Sequence, residues 1–336
     1  MAVMAAAALC IGLLAGCSGD NKGATEAAQA TAQDKIEVVC ATFPAYDWTR
    51  EVVGDEAEGY EITYLMGSGT DMHSYQPTAE DIARIADADL FVYVGGESDG
   101  WAEDAVKTSG NPDLHALSML EAVGDSAVEE EVVEGMEAEE EHEHESGDEH
   151  DEEGEEGPEY DEHVWLLLRN AQALVDVLAA ELSDIDPAHA DAYRANADDY
   201  KNRLTELDGR FADAVDASAH DTVVFADRFP FRYLVDDYGL RYYAAFVGCS
   251  AETEASFETV TFLVRKLDDL GLGSVLVIEG SDQKIAQTVV ESTKGKDQKI
   301  LVMDSLQSVT DEDVEAGKTY LSAMESNLAT LSEALA

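Results

Sequence analysis

Basic residues are scarce in this sequence. Lys and Arg number 20 against 73 Asp and Glu, and the formal net charge is -53 over 336 residues. Such a surface repels phosphate backbones and anionic headgroups, which excludes nucleic-acid binding and electrostatic docking on lipid. Long apolar runs are also lacking: the stretch from Ala5 to Ala15 is too short to span a bilayer. Cysteine is sparse, with four in all, Cys10, Cys17, Cys40 and Cys249. No His-Glu-x-x-His helix, nucleophile–base constellation, phosphate-cradling glycine loop or basic patch stands out, so the chain reads as a non-enzyme.

Apolar residues make up 45% of the chain, so it is not a disordered polymer, and its length suffices for two domains with real cores. Residues 1–17 read as a signal peptide. The segment Leu14-Ala15-Gly16-Cys17 places small residues before a cysteine and resembles the bacterial lipobox, which makes Cys17 the expected lipid anchor to the membrane. No Lys or Arg precedes the apolar run, a departure from the usual basic start; a plain secretory signal with a coincident cysteine is the alternative. Residues 18–34 are small and polar and read as a flexible tether. Cys40 and Cys249 then remain as a pair in an oxidising compartment, to be joined as a disulfide, left as two buried thiols, or used as soft metal ligands.

Strand, loop and helix alternate after residue 35. Ile36 opens a β-rich run that ends in a turn at Pro44, Tyr60 to Met66 is a second strand, and Leu90 to Val94 a third. Thr78, with Asp81 three residues on, caps a helix through Ala88. In Glu129 to Glu162, twenty of the thirty-four positions are acidic, with His142, His144 and His150 among them. This stretch has no hydrophobic period and is either a solvated charge run or a weak collector of metal ions. His163 to Leu182 reads as helix, and Asp186-Pro187 as the cap and first turn of a long helix to about Val215. The second half repeats the rhythm and closes with one helix from Asp311 to Leu335. The pattern predicts an α/β fold: a lobe over residues 35–185 with the acidic loop 129–162, a connecting helix over 186–216, and a second lobe over 217–336, each with a parallel-rich sheet. The site of such a molecule lies in the cleft between the lobes, at the carboxyl ends of the strands.

Two segments sharpen this. DMHSYQPTAEDI (Asp71 to Ile82) resembles the first ligand motif, and DEHVWLLLRNA (Asp161 to Ala171) the second, of the zinc- and manganese-binding substrate-binding proteins of bacterial ABC importers. The His-bearing acidic insert between them, RYLVDDYGL (Arg232 to Leu240), the CSAETEAS run from Cys249 and MDSL (Met303 to Leu306) also match positions of that family. The resemblance covers Lys35 to Ala336. It implies a rather rigid two-lobed monomer that captures zinc, or manganese as the alternative, and delivers it to an ABC permease driven by its ATPase. It also implies His73 and His163 as ligands, and imidazole suits zinc. Asp304, at the end of a predicted strand, is the implied oxygen ligand; otherwise it caps the next turn. The third family position falls on Arg228, which stays protonated and cannot ligate. Either Asp227 substitutes for it, or Arg228 pairs with Asp227 or Asp304 and the site has fewer protein ligands. Glu279 is expected to hold a His ring by its second nitrogen. A surface adhesin with a degenerate metal site is the competing reading, and Arg228 favours it. Trp48, Trp101 and Trp165 read as core packing, and His115, His189 and His220 lack metal-like neighbours.

Overall fold

The computed structural model describes residues 35–137, 159–250 and 254–336. Cys17, the tether, and His142, His144 and His150 lie outside the described residues. The first sheet contains β1 (Ile36–Cys40), β2 (Tyr60–Tyr64), β3 (Leu90–Tyr93) and β4 (His115–Ser118), in the order β2-β1-β3-β4 with every pair parallel. Parallel neighbours need crossovers, supplied here by α1 (Phe43–Val53), α2 (Ala79–Asp87) and α3 (Gly100–Thr108), with α4 (Met119–Val123) after the last strand. Two helices follow, α5 (Leu168–Ile185) and α6 (Ala190–Asp216). The second sheet holds β5 (Thr222–Phe229), β6 (Arg241–Val247), β7 (Ser274–Ile278) and β8 (Lys299–Met303), in the order β6-β5-β7-β8, again all parallel. Its helices are α7 (Arg232–Asp237), α8 (Phe257–Leu270) and α9 (Lys284–Ser292), followed by α10 (Asp311–Glu315) and α11 (Tyr320–Ala334). The α/β class with two parallel sheets is therefore the one the sequence indicates.

Local chemistry explains the boundaries. Thr78 and Asp81 form a reciprocal capping box at the start of α2. Pro44 does not make a turn; it sits in the first turn of α1, where its missing N–H costs no helical hydrogen bond. The long helix begins at Ala190 rather than at Pro187, because Asp186 is occupied differently: its Oδ2 accepts from His189 Nδ1 and from the Tyr193 hydroxyl, both at 2.6 Å. The expected single closing helix is two. Gly317, at φ 93°, lies outside the helical region, and Thr319 and Ser322 form a fresh capping box for α11.

The strands alternate between two apolar clusters, as a period of two requires. Val223 and Phe225 of β5 and Leu276 and Ile278 of β7 join a core that also takes Val38 of β1, Leu174 of α5, Leu204 of α6 and Leu328 of α11. Val224, Ala226, Val275 and Val277 face the other way, onto Leu263 and Leu267 of α8. One core thus runs from the first sheet through α5, α6 and α11 to one face of the second. Polar links reinforce it: Tyr64 donates to Val309 O (2.9 Å), Asp311 N to Gly67 O (2.7 Å), Trp165 Nε1 to Ser305 O (2.9 Å) and Tyr320 OH to Trp165 O (2.6 Å). Between the carboxyl ends of the two sheets lies a cleft of about 510 Å³, lined by Asp71 and His73 on one side and Asp227, Arg228, Glu279 and Asp282 on the other. No helix among the described residues is long and apolar enough to cross a membrane.

Candidate metal centre

His73 is carried by one 3-10 turn, Met72–Ser74, in the loop after β2. Met72 is buried beneath the turn, and the Asp71 carboxylate caps it by accepting from His73 N at 3.0 Å. Asp71 is held from the other half of the molecule: its Oδ2 lies 2.5 Å from Arg228 Nη2. Burial opposes the charge on Asp71, but the Arg228 guanidinium outweighs it and keeps the carboxyl below its ordinary range. Arg228 therefore pairs with neither Asp227 nor Asp304. It clamps the turn that carries His73.

The His73 ring is oriented from behind. Its Nδ1 lies 2.7 Å from Ser98 Oγ and 3.7 Å from Glu162 Oε2, while Ser98 N donates to Glu162 Oε1 at 2.8 Å. Its Nε2 faces Nε2 of His163 across 3.2 Å.

His163 has no exposed surface. It stands just before the 3-10 turn Val164–Leu166, and Asp161 supports it twice, accepting from His163 N (2.8 Å) and pairing with Nδ1 (2.9 Å) at the same Oδ1. Asp161 is fixed in turn by Tyr233, whose hydroxyl donates to Asp161 O at 2.7 Å. A proton on Nδ1, shared with the carboxylate, leaves the Nε2 lone pair aimed at His73. The two rings titrate in opposite directions. Burial, then the charge on His163, pushes His73 down to about 3. Burial would also lower His163, but Asp161 and Glu162 outweigh it and raise that ring.

A third donor completes the group. Among the described residues, His73, His163 and Cys249 present ligand atoms that all lie within 4.8 Å of one another. Cys249 follows β6, and its N–H donates to Glu130 Oε1 at 3.2 Å. Burial, then the neighbouring carboxylates of Glu130, Asp161 and Glu162, pushes its thiol well above the ordinary range. Cys40 is a free, fully buried thiol against Thr49 Oγ1 (3.4 Å), pushed up to about 12 by burial. Of the three uses open to Cys40 and Cys249, the disulfide is not the one formed, since both thiols are free.

The expected carboxylates lie outside this group. Asp304 does follow β8, but its Oδ2 is 2.5 Å from Lys318 Nζ and its Oδ1 caps Leu306 N at 3.0 Å. Glu279 holds no imidazole. Its oxygens accept from Ser305 N (2.7 Å), Ser305 Oγ (2.6 Å) and Gln307 N (3.3 Å), bracing the turn after β8. Asp227 lines the cleft, with Oδ1 accepting from Arg228 N at 2.9 Å and Oδ2 buried without a hydrogen-bond partner. The sequence therefore brought out the two imidazoles but not their supports. Asp161 was legible in principle from its spacing of two before His163; Ser98, Glu162 and Tyr233 carry no local signal.

The geometry suits one small cation. Two nitrogens bound to a tetrahedral zinc at about 2.0–2.1 Å stand about 3.3–3.4 Å apart. The observed 3.2 Å between the Nε2 atoms is close to that edge. Both rings are held by their other nitrogen, so little reorganisation is needed to receive an ion.

Known proteins resemble this chain along most of its length. Residues 38–334 match the family described as ZnuA, the periplasmic component A of the zinc-uptake complex. The zinc-binding lipoprotein AdcA of Streptococcus pneumoniae R6 is 31% identical over 327 residues, which is 97% of this chain and 59% of AdcA, so the chain spans little more than half of that relative. The high-affinity zinc uptake system protein ZnuA of Bacillus subtilis 168 is 29% identical over 328 residues, 98% of this chain and 95% of the relative. Among solved structures, the Zn(II)-bound ZnuA-like domain of pneumococcal AdcA superposes with a TM-score of 0.68 at 27% identity, covering 90% of this chain and 99% of the domain.

Proposed function

Because the chain belongs to the family of the zinc-uptake component ZnuA, we propose that it captures zinc outside the cytoplasm and delivers it to an ABC permease powered by a cytoplasmic ATPase. The observation that carries this reading is the pair of Nε2 atoms 3.2 Å apart, each ring braced through its other nitrogen. His73 and His163 are the proposed ligands, and zinc is the cargo rather than a resident cofactor. Nothing in the mechanism requires bond-making on a substrate. The protein works by equilibrium capture, in which the metal displaces whatever proton the imidazole pair holds. The names of the pneumococcal and Bacillus relatives, a zinc-binding lipoprotein and a zinc uptake protein, support the cargo and the extracytoplasmic location. Cys17 is the proposed anchor to the membrane, and the protein is proposed to act as a monomer.

The competing adhesin reading drew its force from Arg228. That residue has a different task, since its guanidinium holds the Asp71 cap of the His73 turn. On this reading its presence is compatible with a working site.

Titration calorimetry of the metal-free protein with zinc and with manganese tests the proposal. Tight zinc binding is expected, abolished in His73→Ala and in His163→Ala. Wild-type affinity in either variant removes that residue from the site, and no binding at micromolar zinc overturns the transport reading.

A further inference from the structure

We propose that Cys249 is the third protein ligand of the cargo metal, so that two imidazoles and one thiolate hold the ion; this rests on the reading of His73 and His163 as ligands. The three donor atoms lie within 4.8 Å of one another, from three separate segments of the chain. The approach of the third segment is built into the backbone. Gly248 lies against the His163 ring so closely that a Cβ there would stand 2.9 Å from His163 Cε1 and 3.0 Å from Phe229 O. Only glycine permits that contact, and the contact carries the next residue to the histidine pair. Glu130 Oε1 then holds Cys249 by its N–H at 3.2 Å.

Two of the three expected carboxylates are committed elsewhere, and Asp227, whose Oδ2 has no hydrogen-bond partner, lies outside the three-donor group. Arg228 stands at the position where the family resemblance implies a ligand, and it is spent on Asp71. Asp304 is paired with Lys318, and Glu279 braces Ser305. A thiolate also supplies what two neutral imidazoles lack, a negative charge to offset the cation beside the Arg228 guanidinium. As the sulfur–metal bond forms, the Sγ–H bond breaks and its proton leaves to solvent. The resulting donor set has a chemical bias: sulfur is soft, so it favours zinc over manganese, which prefers oxygen. Three protein ligands also leave the fourth tetrahedral position to water.

Cobalt(II) reports sulfur ligation directly. The full-length protein loaded with cobalt is expected to show an intense near-ultraviolet sulfur-to-cobalt charge-transfer band, retained in Cys40→Ser and lost in Cys249→Ser. Cys249→Ser is expected to lower zinc affinity by about 100-fold and manganese affinity by far less, shrinking the preference for zinc. X-ray absorption of the zinc-loaded wild type, which needs no variant to fold, is expected to show one sulfur at about 2.3 Å. If the wild type binds zinc with nitrogen and oxygen scatterers alone, the thiolate inference is overturned while the transport reading stands. If the wild type binds no zinc, both fall together.

Discussion

Two residues decide how tightly the imidazole pair is held. Gly248 has no tolerance for a side chain, because its Cβ would press on the His163 ring and on Phe229 O. Gly248→Ala is therefore expected to push the β6 end away from the ring and to lower zinc affinity about tenfold with little change in fold, measured by calorimetry beside circular dichroism. Asp161 acts on both strength and pH. Its carboxylate raises the proton affinity of His163, so protons compete with the metal at a pH above the ordinary histidine range. Asp161→Asn removes that pull. Zinc affinity at neutral pH is expected to fall about 10–100-fold, because the dication loses more from removal of the carboxylate charge than the proton does, and the weakened site releases its metal at a higher pH. An unchanged midpoint in a competition titration with a chelator dye would refute the role given to Asp161. At this scale the sequence was half legible. His73 and His163 sit in quotable motifs; Cys249 was visible as a cysteine but not as a neighbour, because its proximity comes from the packing of Gly248 against the His163 ring, a contact between segments far apart in the chain.

Elements were legible where their ends carry chemistry of their own. The capping box of Thr78 and Asp81 appears in the structure as it reads in the sequence. Thr78→Ala is expected to cost about 1 kcal/mol of stability, read from the denaturation midpoint, since α2 loses its reciprocal cap. Ser256 caps α8, and Gly271 closes it at φ 66° in the left-handed region. The helices that the sequence concealed have other causes. Around Pro44 the residue type argues equally for a turn and for a helix start, and packing decided: Phe43, Trp48, Val52 and Val53 are all buried under α1. The closing segment reads as one continuous helix because its apolar period survives the break. Only the positive φ of Gly317 and the second cap at Thr319 divide it, and a single glycine is a weak sequence signal.

For the molecule as a whole, negative charge is the dominant burden. A net charge of -53 disfavours compaction, and several carboxylates are buried besides. Burial raises Asp47 to about 6, against the single hydrogen bond from Tyr320 N at 2.9 Å. Asp99 is likewise raised to about 6 by burial. A carboxyl whose pKa is higher folded than unfolded binds more protons in the native state, so acid favours folding at that group. The contribution is complete below about pH 4, the unfolded value, and is lost as the pH rises through about 6. Asp47→Asn keeps an acceptor for Tyr320 N and removes the charge. Its melting temperature without metal is expected to exceed wild type at about pH 7.5 and to match it near pH 4, and a lower value at neutral pH would contradict this account. The α/β class and the pairing of two sheets were readable from the rhythm of strands. The shared core was not, because no local pattern says that α11 returns to pack on α1 and α6.

The two histidines differ in their access to water. His73 borders the cleft on a turn of three residues, whereas His163 is sealed from solvent behind it. If the two rings hold the proposed cargo, an incoming ion meets the outer ring first and a departing one leaves it last. On the proposed reading exchange is sequential, and the Met72–Ser74 turn, rather than any parting of the two halves that share one core, is the element that has to move. The Asp71–Arg228 pair holds this turn in place, so on that reading it governs how long an ion stays. For the permease partner proposed above, release would then ask for the loosening of that pair and not for an opening of the whole molecule.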